Sequence, residues 1–392
     1  MHRRRESTHC LKSSLSVGKI VNILVIIFLC IPAYTQDGVS EENRRQPYLQ
    51  LNYHTGSFWT RSEYLVEQFN DPYKAIEARF GYQLTGTKIW QQLHNYPKYG
   101  LGMHYSDLVK DKLDTVVGNP FSLFAFYSAP LARFGRFTLA TDMSIGLSYT
   151  GLIHDFDTNP NNDVIASHIN LYFDFNLNLS MMLTRRLSLF AGYGITHYSN
   201  GRIQMPQKGV NNWGLILGMH CLLAEPVSEF IYKEPPEFKS TESIQLMYAV
   251  GIVEGIVSGT TEELQFFTSS FAADYVYQFS PKGALTFGMD VFYDGSLERA
   301  IKGISPEDVT TWQQMYLGSH LGYHFIIDRF TVLFNLGTYY RQHSYDRGYY
   351  YARAGGRWRF TDHLYGHICI KTKNGIRSDW VEWGIATSLK IR

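Results

Sequence analysis

The chain has 392 residues, of which 45% are hydrophobic, 15% aromatic and only 18% charged, and its formal net charge is +1. This length and hydrophobic content allow one large core or two modest ones. The near-neutral balance provides no basic surface of the kind that binds nucleic acid. Many aromatic and few charged residues favour strands bordered by aromatic girdles over a soluble helical protein.

The first 35 residues predict a secretory signal peptide. Arginines and lysines precede an apolar run over residues 20–31, and a small residue at Thr35 favours cleavage before Gln36. A membrane-anchoring helix is the alternative, but this run is shorter than the roughly 20 residues that a spanning helix needs. The segment also holds five of the 36 Lys and Arg and one of the 35 Asp and Glu, so the remaining chain has a small net negative charge.

From about Pro47 to Leu223, apolar and polar residues alternate in strand-length segments, most clearly in those that start near Phe137 and Val164. Alternation puts apolar side chains on one face of a strand and polar ones on the other. The polar face holds mainly Asn, Ser, Gly, Asp and His, whereas a soluble sandwich usually has charged residues there. Pro97 interrupts the third segment, and we predict a bulge at this position.

The connections between these segments alternate in length, as in outer-membrane barrels with short periplasmic turns and longer outer loops. The short turns are near residues 85–88, 134–136 and 184–186, and the longer polar links are near residues 60–71, 106–118, 151–163 and 200–210. With a periplasmic N-terminus, this order predicts eight strands and sends the last of these links outside the cell.

Residues 224–240 contain Pro and Glu and predict a periplasmic linker, after which the strand pattern restarts and gives about eight further strands. Eight strands form a barrel that side chains fill, whereas sixteen can enclose a water channel. The linker is longer than the other periplasmic turns. We therefore predict an all-β fold of two transmembrane antiparallel up-and-down barrels in tandem, over residues 36–223 and 241–392, rather than one sixteen-stranded barrel.

A weak internal repeat aligns residues 195–201 with residues 369–375. In this alignment Lys371 and Lys373 stand opposite a His and a Ser of the first half. The repeat predicts that the second half is a non-catalytic copy of the first.

A His–Ser pair ends the apolar face of the segment that starts at Leu187. His197 and Ser199 share that face and lie about 6.6 Å apart along a strand, so the imidazole can reach the hydroxyl. Such a pair suggests ester cleavage: the Ser attacks a carbonyl, the His takes its proton, and nearby amides at Ser199, Asn200 or Gly201 bind the oxyanion. The alternative is a strand end that carries polar residues at the headgroup level, because short motifs often occur by chance.

The run from His197 to Gly201, followed by Pro206, Gly209 and a strand that opens at Asn211, resembles the lipid A 3-O-deacylase family of outer-membrane acyloxyacyl hydrolases. The resemblance covers residues 47–223 and includes Trp90 and the stretches 95–100 and 118–120, which are similar to the longer members of that family.

This resemblance implies an eight-stranded barrel that removes the ester-linked acyl chain at position 3 of lipid A without a metal or cofactor. It also implies that His197 is the base and Ser199 the nucleophile, and that Asn200 helps to form the oxyanion hole. The best-known members carry a Glu fourteen residues after the His, where this chain has Asn211. An amide accepts the imidazole N–H without adding charge, so we expect a slower reaction, although Asn serves in this role in cysteine-protease triads.

Other titratable residues give weaker indications of chemistry. His363 and His367 have a spacing that would suit a metal on a helix, but they fall at a predicted turn between strands, and no metal site is predicted there. His168, Asp142 and Asp174 are predicted to face inward and to form a hydrogen-bonded barrel interior.

The sequence thus predicts a carboxylic ester hydrolase in the outer membrane of a Gram-negative bacterium. His197, Ser199 and Asn211 would face the outer leaflet and act on the acyl chains of lipid A in lipopolysaccharide. No cofactor and no nucleic-acid partner is expected. Two alternatives stay open: a non-enzymatic barrel that serves as a channel or structural protein, and an esterase that acts on phospholipid.

Overall fold

The computed structural model describes residues 45–391 except residues 69–71, 109–115, 207, 228, 257–262, 300–304, 343–347 and 376. The predicted signal peptide lies outside the described residues. Within the described part, sixteen β-strands form two closed antiparallel barrels of eight strands each. The prediction of two tandem barrels is therefore confirmed.

The first barrel is closed by pairing of its last strand with its first. Its strands are β1 (Arg45–Trp59), β2 (Tyr73–Leu84), β3 (Lys98–Asp107), β4 (Phe121–Phe134), β5 (Phe137–Tyr149), β6 (Ile169–Met182), β7 (Leu187–Ser199) and β8 (Val210–Leu222). Two short helices lie in the connections after β1 and β2, namely α1 (Glu63–Gln68) and α2 (Ile89–Leu93).

The second barrel repeats this up-and-down order and closes between its own first and last strands. Its strands are β9 (Thr241–Ile256), β10 (Glu263–Ser280), β11 (Gly283–Asp294), β12 (Met315–Ile327), β13 (Phe330–Arg341), β14 (Tyr350–Arg359), β15 (Leu364–Lys373) and β16 (Arg377–Lys390). Three 3₁₀ turns follow β11, at Gly295–Arg299, Pro306–Asp308 and Thr311–Gln314.

Each barrel has two unlike ends. We call the end that carries the connections after β1, β3, β5 and β7 the loop end of the first barrel, and the corresponding end after β9, β11, β13 and β15 the loop end of the second. The opposite ends are the turn ends. The β4–β5 and β6–β7 turns are short, as predicted.

The connection between β2 and β3 differs from the prediction of a short turn at residues 85–88. It extends from Thr85 to Pro97 and contains α2. Pro97 precedes β3, so the predicted bulge there is wrong; its carbonyl instead accepts a hydrogen bond of 3.0 Å from the backbone N–H of Leu84 and closes the connection. A register shift lies between Pro130 and Ala132 of β4, where proline's missing N–H is tolerated.

Apolar side chains cover the outward faces of the strands. Leu147 on β5 and Leu215 on β8 are more than half exposed, whereas their neighbours Ser148 and Ile216 point inward and are buried. An exposed apolar band around a closed barrel suits the hydrocarbon region of a membrane. No helix among the described residues has the length and apolar character that a membrane crossing requires.

A buried arginine organises the polar interior of the first barrel. The Arg79 guanidinium lies 2.6 Å from the Glu77 carboxylate, 2.7 Å from that of Asp142 and 3.6 Å from that of Asp174. The inward orientation predicted for these two aspartates is correct. The prediction for His168 is wrong: β6 begins one residue later, so His168 belongs to the preceding loop and is exposed.

Clusters of buried apolar side chains fill the loop ends. In the first barrel they include Leu65, Leu108, Val117, Val164, Tyr198 and Val210, and in the second Val253, Phe292, Leu297, Tyr316, Tyr339, Tyr351 and Trp380. The turn end of the second barrel instead opens into a cavity of about 500 Å³.

The two barrels touch at their turn ends, and the segment that joins them follows the turn end of the first. The backbone N–H of Ile231 donates to Thr85 O over 2.8 Å, and Phe230 stacks on Tyr96 with ring centroids 4.3 Å apart. His94 Nε2 lies 2.9 Å from the carbonyl oxygen of Ile326 in the second barrel. These contacts hold the barrels side by side with both loop ends on the same side.

Candidate active site

Strand β7 carries the predicted His–Ser pair on its outward face. Tyr193 is half exposed on that face, whereas Thr196 and Tyr198 point inward and are buried. Because alternate side chains share a face, His197 and Ser199 both project outward beside the loop end. This orientation agrees with the alternation in the sequence.

Strand pairing brings the third predicted residue to the same place. In the β7–β8 register His197 stands directly opposite Asn211, and residues directly opposite in an antiparallel pair share a face. The separation of fourteen positions in the sequence is therefore closed by one hairpin. This register places Asn211 beside His197 and Ser199.

The three side chains form a continuous hydrogen-bonded line. His197 Nδ1 lies 2.7 Å from Asn211 Oδ1, and His197 Nε2 lies 2.9 Å from Ser199 Oγ. Because an amide oxygen only accepts, the imidazole carries its hydrogen on Nδ1, which leaves Nε2 to accept the serine hydroxyl. This tautomer is the one that a general base beside a nucleophilic serine requires.

A fourth residue, Trp59, fixes the orientation of the amide. Asn211 Nδ2 donates to the backbone carbonyl of Trp59 over 3.2 Å, so Oδ1 is the atom that faces the imidazole. Trp59 ends β1 and pairs with Asn211 because the barrel closes between β1 and β8. The sequence gives no signal for this contact, since it depends on closure across more than 150 residues.

The β7–β8 loop begins directly after the serine. The Asn200 side chain is used within the loop: Oδ1 accepts from the Arg202 N–H over 3.0 Å, and Nδ2 donates to Gln204 O over 3.0 Å. Gly201 adopts a φ of +68°, which favours glycine. Asn200 and Gly201 therefore shape the turn that follows Ser199, and the Asn200 side-chain amide is not directed at the hydroxyl.

Gly209 at the far end of this loop lies against the catalytic candidates. Its φ is +70°, and a Cβ there would lie 3.0 Å from His197 Cε1 and 3.5 Å from Ser199 Cβ. Its N–H donates to Val164 O over 3.0 Å. Glycine is thus required both by the backbone conformation and by the close approach to the imidazole.

Apolar surface adjoins the polar line. Trp213 and Tyr193 meet edge to face with ring centroids 6.1 Å apart, and both are about half exposed on the outward side of the barrel. Ser199 itself is 6% exposed because the loop and its neighbours cover it. The Ser199 hydroxyl therefore lies at the border between the apolar outward surface and the loop end.

The second barrel does not repeat this site. Lys371, which the weak repeat aligns with His197, points into the barrel, where its Nζ lies 2.6 Å from Asp379 Oδ2 and 2.7 Å from Tyr339 Oη. His197 points outward, so the aligned residues are on opposite faces of the barrel wall. The repeat therefore does not match equivalent positions, because a shift of one residue reverses the face.

The one group of His, Cys and acidic side chains with metal-like proximity among the described residues is His367, Cys369 and Glu382, with ligand atoms within 4.8 Å of one another. Arg353 Nε donates to the Glu382 carboxylate over 2.7 Å, and Arg357 Nε donates to His367 over 3.1 Å. These guanidinium groups occupy the carboxylate and a ring nitrogen that a cation would need.

His363 lies apart from His367. It is exposed at the turn end, where its Nδ1 lies 3.0 Å from Ser388 O, whereas His367 is buried inside the second barrel. The two rings do not converge.

Three solved structures that are similar to this chain have low sequence identity to it. Neisserial surface protein A is 10% identical, with a TM-score of 0.32, over 45% of this chain and 96% of that chain. A mutant of the ferric enterobactin receptor PfeA from Pseudomonas aeruginosa is 10% identical, with a TM-score of 0.24, over 84% and 53% respectively. A mutant porin of Rh. blastica is 8% identical, with a TM-score of 0.16, over 88% and 100%. Among curated proteins, none matches this chain.

Two family models match the chain, one for each barrel. Residues 74–220 match the model described as lipid A 3-O-deacylase (PagL), and residues 242–390 match the model described as the C-terminal domain of acyloxyacyl hydrolases. Together the matches cover more than half of the chain. The chain therefore belongs to the lipid A 3-O-deacylase family of outer-membrane hydrolases, in a two-part form that carries a C-terminal domain.

Proposed function

We propose that this protein removes the ester-linked 3-O acyl chain of lipid A with Ser199 as nucleophile and His197 as general base. The observation that carries the proposal is the line from Asn211 Oδ1 through the imidazole to Ser199 Oγ, with distances of 2.7 and 2.9 Å. The line lies on the outward face of a closed barrel, which is the face that a membrane lipid would contact.

The reaction follows from the tautomer. Ser199 Oγ attacks the ester carbonyl while its proton passes to His197 Nε2, and backbone N–H groups at Asn200 or Gly201 receive the developing oxyanion. The tetrahedral intermediate collapses as the bond between the carbonyl carbon and the sugar oxygen breaks, and His197 gives the proton to that oxygen, which leaves as a hydroxyl. Water, activated by the same imidazole, then releases the fatty acid from Ser199.

Asn211 orients the imidazole without stabilising its charge. The amide holds Nδ1–H through Oδ1, and its own Nδ2 is held by Trp59 O. A carboxylate at this position would also stabilise the imidazolium that forms in the transition state, so we expect this enzyme to react more slowly than relatives with Glu there.

We also propose the domain boundaries of the protein and its location in the cell. Residues 1–35 act as a cleaved signal peptide, residues 36–223 form the catalytic barrel, residues 224–240 are a periplasmic linker and residues 241–392 form the second barrel. The loop ends, and with them His197 and Ser199, face the outer leaflet of the outer membrane of a Gram-negative bacterium, because longer connections lie outside in such barrels. No metal or cofactor takes part in the mechanism.

The test is mass spectrometry of lipid A from cells that express the intact protein, Ser199→Ala, His197→Ala or the control Ser57→Ala at equal outer-membrane abundance. Ser57 is an exposed outward serine that pairs with Trp213 and has no histidine partner in the described contacts. We expect loss of one hydroxyacyl chain with the intact protein and with Ser57→Ala, and unchanged lipid A with the other two variants.

Three results would contradict the proposal. Deacylation by Ser199→Ala would rule out Ser199 as the nucleophile. Unchanged lipid A in every strain would rule out lipid A as the substrate. New lysophospholipid with unchanged lipid A, lost in Ser199→Ala, would assign the same site to phospholipid.

A further inference from the structure

The loop that follows Ser199 contacts the second barrel as well as the first. Arg202 Nη1 lies 3.2 Å from Asp379 Oδ1 of β16, and the carbonyl oxygen of Arg202 accepts the Glu254 N–H of β9 over 3.1 Å. The N–H of Met205 donates to the Glu254 carboxylate. Two acidic residues of the second barrel thus hold two points of one short loop.

Asp379 is also held by a contact within the second barrel. Asp379 is fully buried, and its other oxygen lies 2.6 Å from Lys371 Nζ. The β15–β16 register passes from Lys371 opposite Trp380 to Thr372 opposite Ser378, so Asp379 is the extra residue of a bulge. A bulge redirects a side chain, and here it leaves the Asp379 carboxylate within reach of both cations.

The loop backbone also packs on the wall of the second barrel. A Cβ at Gly201 would overlap Val381 Cγ2. Val381 lies on the outward side of β16 between the inward residues Trp380 and Glu382, yet it is only 4% exposed. The loop therefore covers a side chain that would otherwise face lipid.

We propose that the second barrel is a positioning element for the active site: Asp379 and Glu254 hold Arg202 and Met205, and thereby fix the backbone amides at Asn200 and Gly201 beside Ser199. The inference rests on the proposed function. Oxyanion donors contribute most when they are held in place before the reaction, and a surface loop without such anchors is mobile. The role assigned to residues 241–392 is therefore mechanical and not a second chemistry.

The test uses the full-length protein in detergent micelles and measures kcat and KM for release of fatty acid from lipid A. Arg202→Gln and Glu254→Ala remove the two anchors, and each is expected to lower kcat by about 10-fold with KM unchanged, less than the loss of a complete oxyanion donor. Arg202→Lys restores the ion pair and Glu254→Gln restores an acceptor, so both are expected to recover most of the rate.

Lys208→Gln is the matched control. Lys208 belongs to the same loop, but its ion pair is with Asp163 of the first barrel, and both side chains are partly exposed, so we expect little change in kcat. Two measurements verify that every variant is folded: the difference in electrophoretic migration between heated and unheated protein, and thermal unfolding.

Full kcat in Arg202→Gln and Glu254→Ala, together with inactive Ser199→Ala, would overturn the positioning role and leave the proposed function intact. Equal losses in Lys208→Gln, or no recovery in Arg202→Lys and Glu254→Gln, would also overturn it. Activity in Ser199→Ala would instead overturn the proposed function itself.

Discussion

The two barrels share an interior plan and differ on their outer walls. In each, a buried arginine is surrounded by carboxylates: Glu77, Asp142 and Asp174 lie around Arg79 in the first barrel, and Glu382 and Asp290 lie around Arg353 in the second. In each, apolar side chains fill the loop end. The shared features are those that any narrow barrel needs in order to fill its interior.

The difference lies on the outward face of the seventh strand. In the first barrel this face ends in His197 and Ser199, whereas β15 of the second presents the half-exposed Ile368 and directs Lys371 inward. The proposed chemistry thus lies on the lipid-facing wall of one barrel, while the other has an apolar wall and offers acidic side chains to the neighbouring loop. The buried polar networks and the proposed site lie on opposite faces of the barrel wall.

The proposed difference between the two barrels is tested most strongly by changing one outward residue on the seventh strand of each. We expect His197→Ala to lower kcat by at least about 10³-fold, because no other base contacts Ser199 in the described part of the chain. Ile368→Ala should leave kcat unchanged, since its side chain faces lipid away from the proposed site. A large loss in Ile368→Ala would show that the outer wall of the second barrel takes part in the reaction.

Removing an interior arginine should affect stability and not chemistry. Arg353→Met leaves Asp290 and Glu382 buried without their cation, which costs about 3–5 kcal/mol in the free energy of unfolding. Denaturant unfolding in micelles, followed by tryptophan fluorescence, measures the shift. Under native conditions kcat should be retained; an unshifted unfolding curve would contradict the role assigned to the network.

A substitution of Asn211, whose amide contacts the imidazole, is expected to have a smaller effect on kcat, and the neighbouring residue Asn212 provides a control. Asn211→Leu removes the acceptor of Nδ1–H and is expected to lower kcat by about 10- to 100-fold, less than the loss of a charged partner. Asn212 is the next residue, buried and inward, and its side-chain amide has no hydrogen-bond partner among the described residues. Asn212→Leu should therefore retain kcat, and equal losses in the two variants would argue against an orienting role.

A pair of glycines separates backbone strain from contact with the site. Gly209 and Gly135 have φ values of +70° and +57°, so an alanine at either position costs about 1 kcal/mol in the free energy of unfolding. Only at Gly209 would the new Cβ press on His197, because no atom in the described part of the chain lies within 4 Å of a Cβ at Gly135. We expect kcat to fall in Gly209→Ala alone; a similar fall in Gly135→Ala would attribute the effect to strain.

The features that the sequence predicts are those with a local period. Alternation is visible over a few residues, and it predicts the closed barrels, the outward direction of His197 and Ser199 and the hairpin that leads to Asn211. The length of the linker separates two barrels from one. The weak repeat aligns residues that are not structurally equivalent, because similarity between two residues carries no information about which face of a strand each one occupies.

The features that the sequence does not predict depend on contacts between distant segments. Trp59 reaches Asn211 only because β1 closes on β8, and Asp379 reaches Arg202 only because the barrels lie side by side. The sequence predicts only a short turn at residues 85–88, whereas the connection extends over residues 85–97. Its helix has five residues, which is too short to give a recognisable helical period. His168 shows the same limit, because a strand boundary that moves by one residue transfers it from the interior to a loop.

The assignment of Ser199 as the nucleophile is tested by covalent labelling of the intact protein in micelles with an alkyl fluorophosphonate, followed by peptide mass mapping. A phosphonate adduct is expected on Ser199, formed much more slowly in His197→Ala and absent from the control residue Ser57. An adduct on another serine, or an unlabelled Ser199 in protein that still deacylates lipid A, would contradict the assignment of Ser199 as the nucleophile.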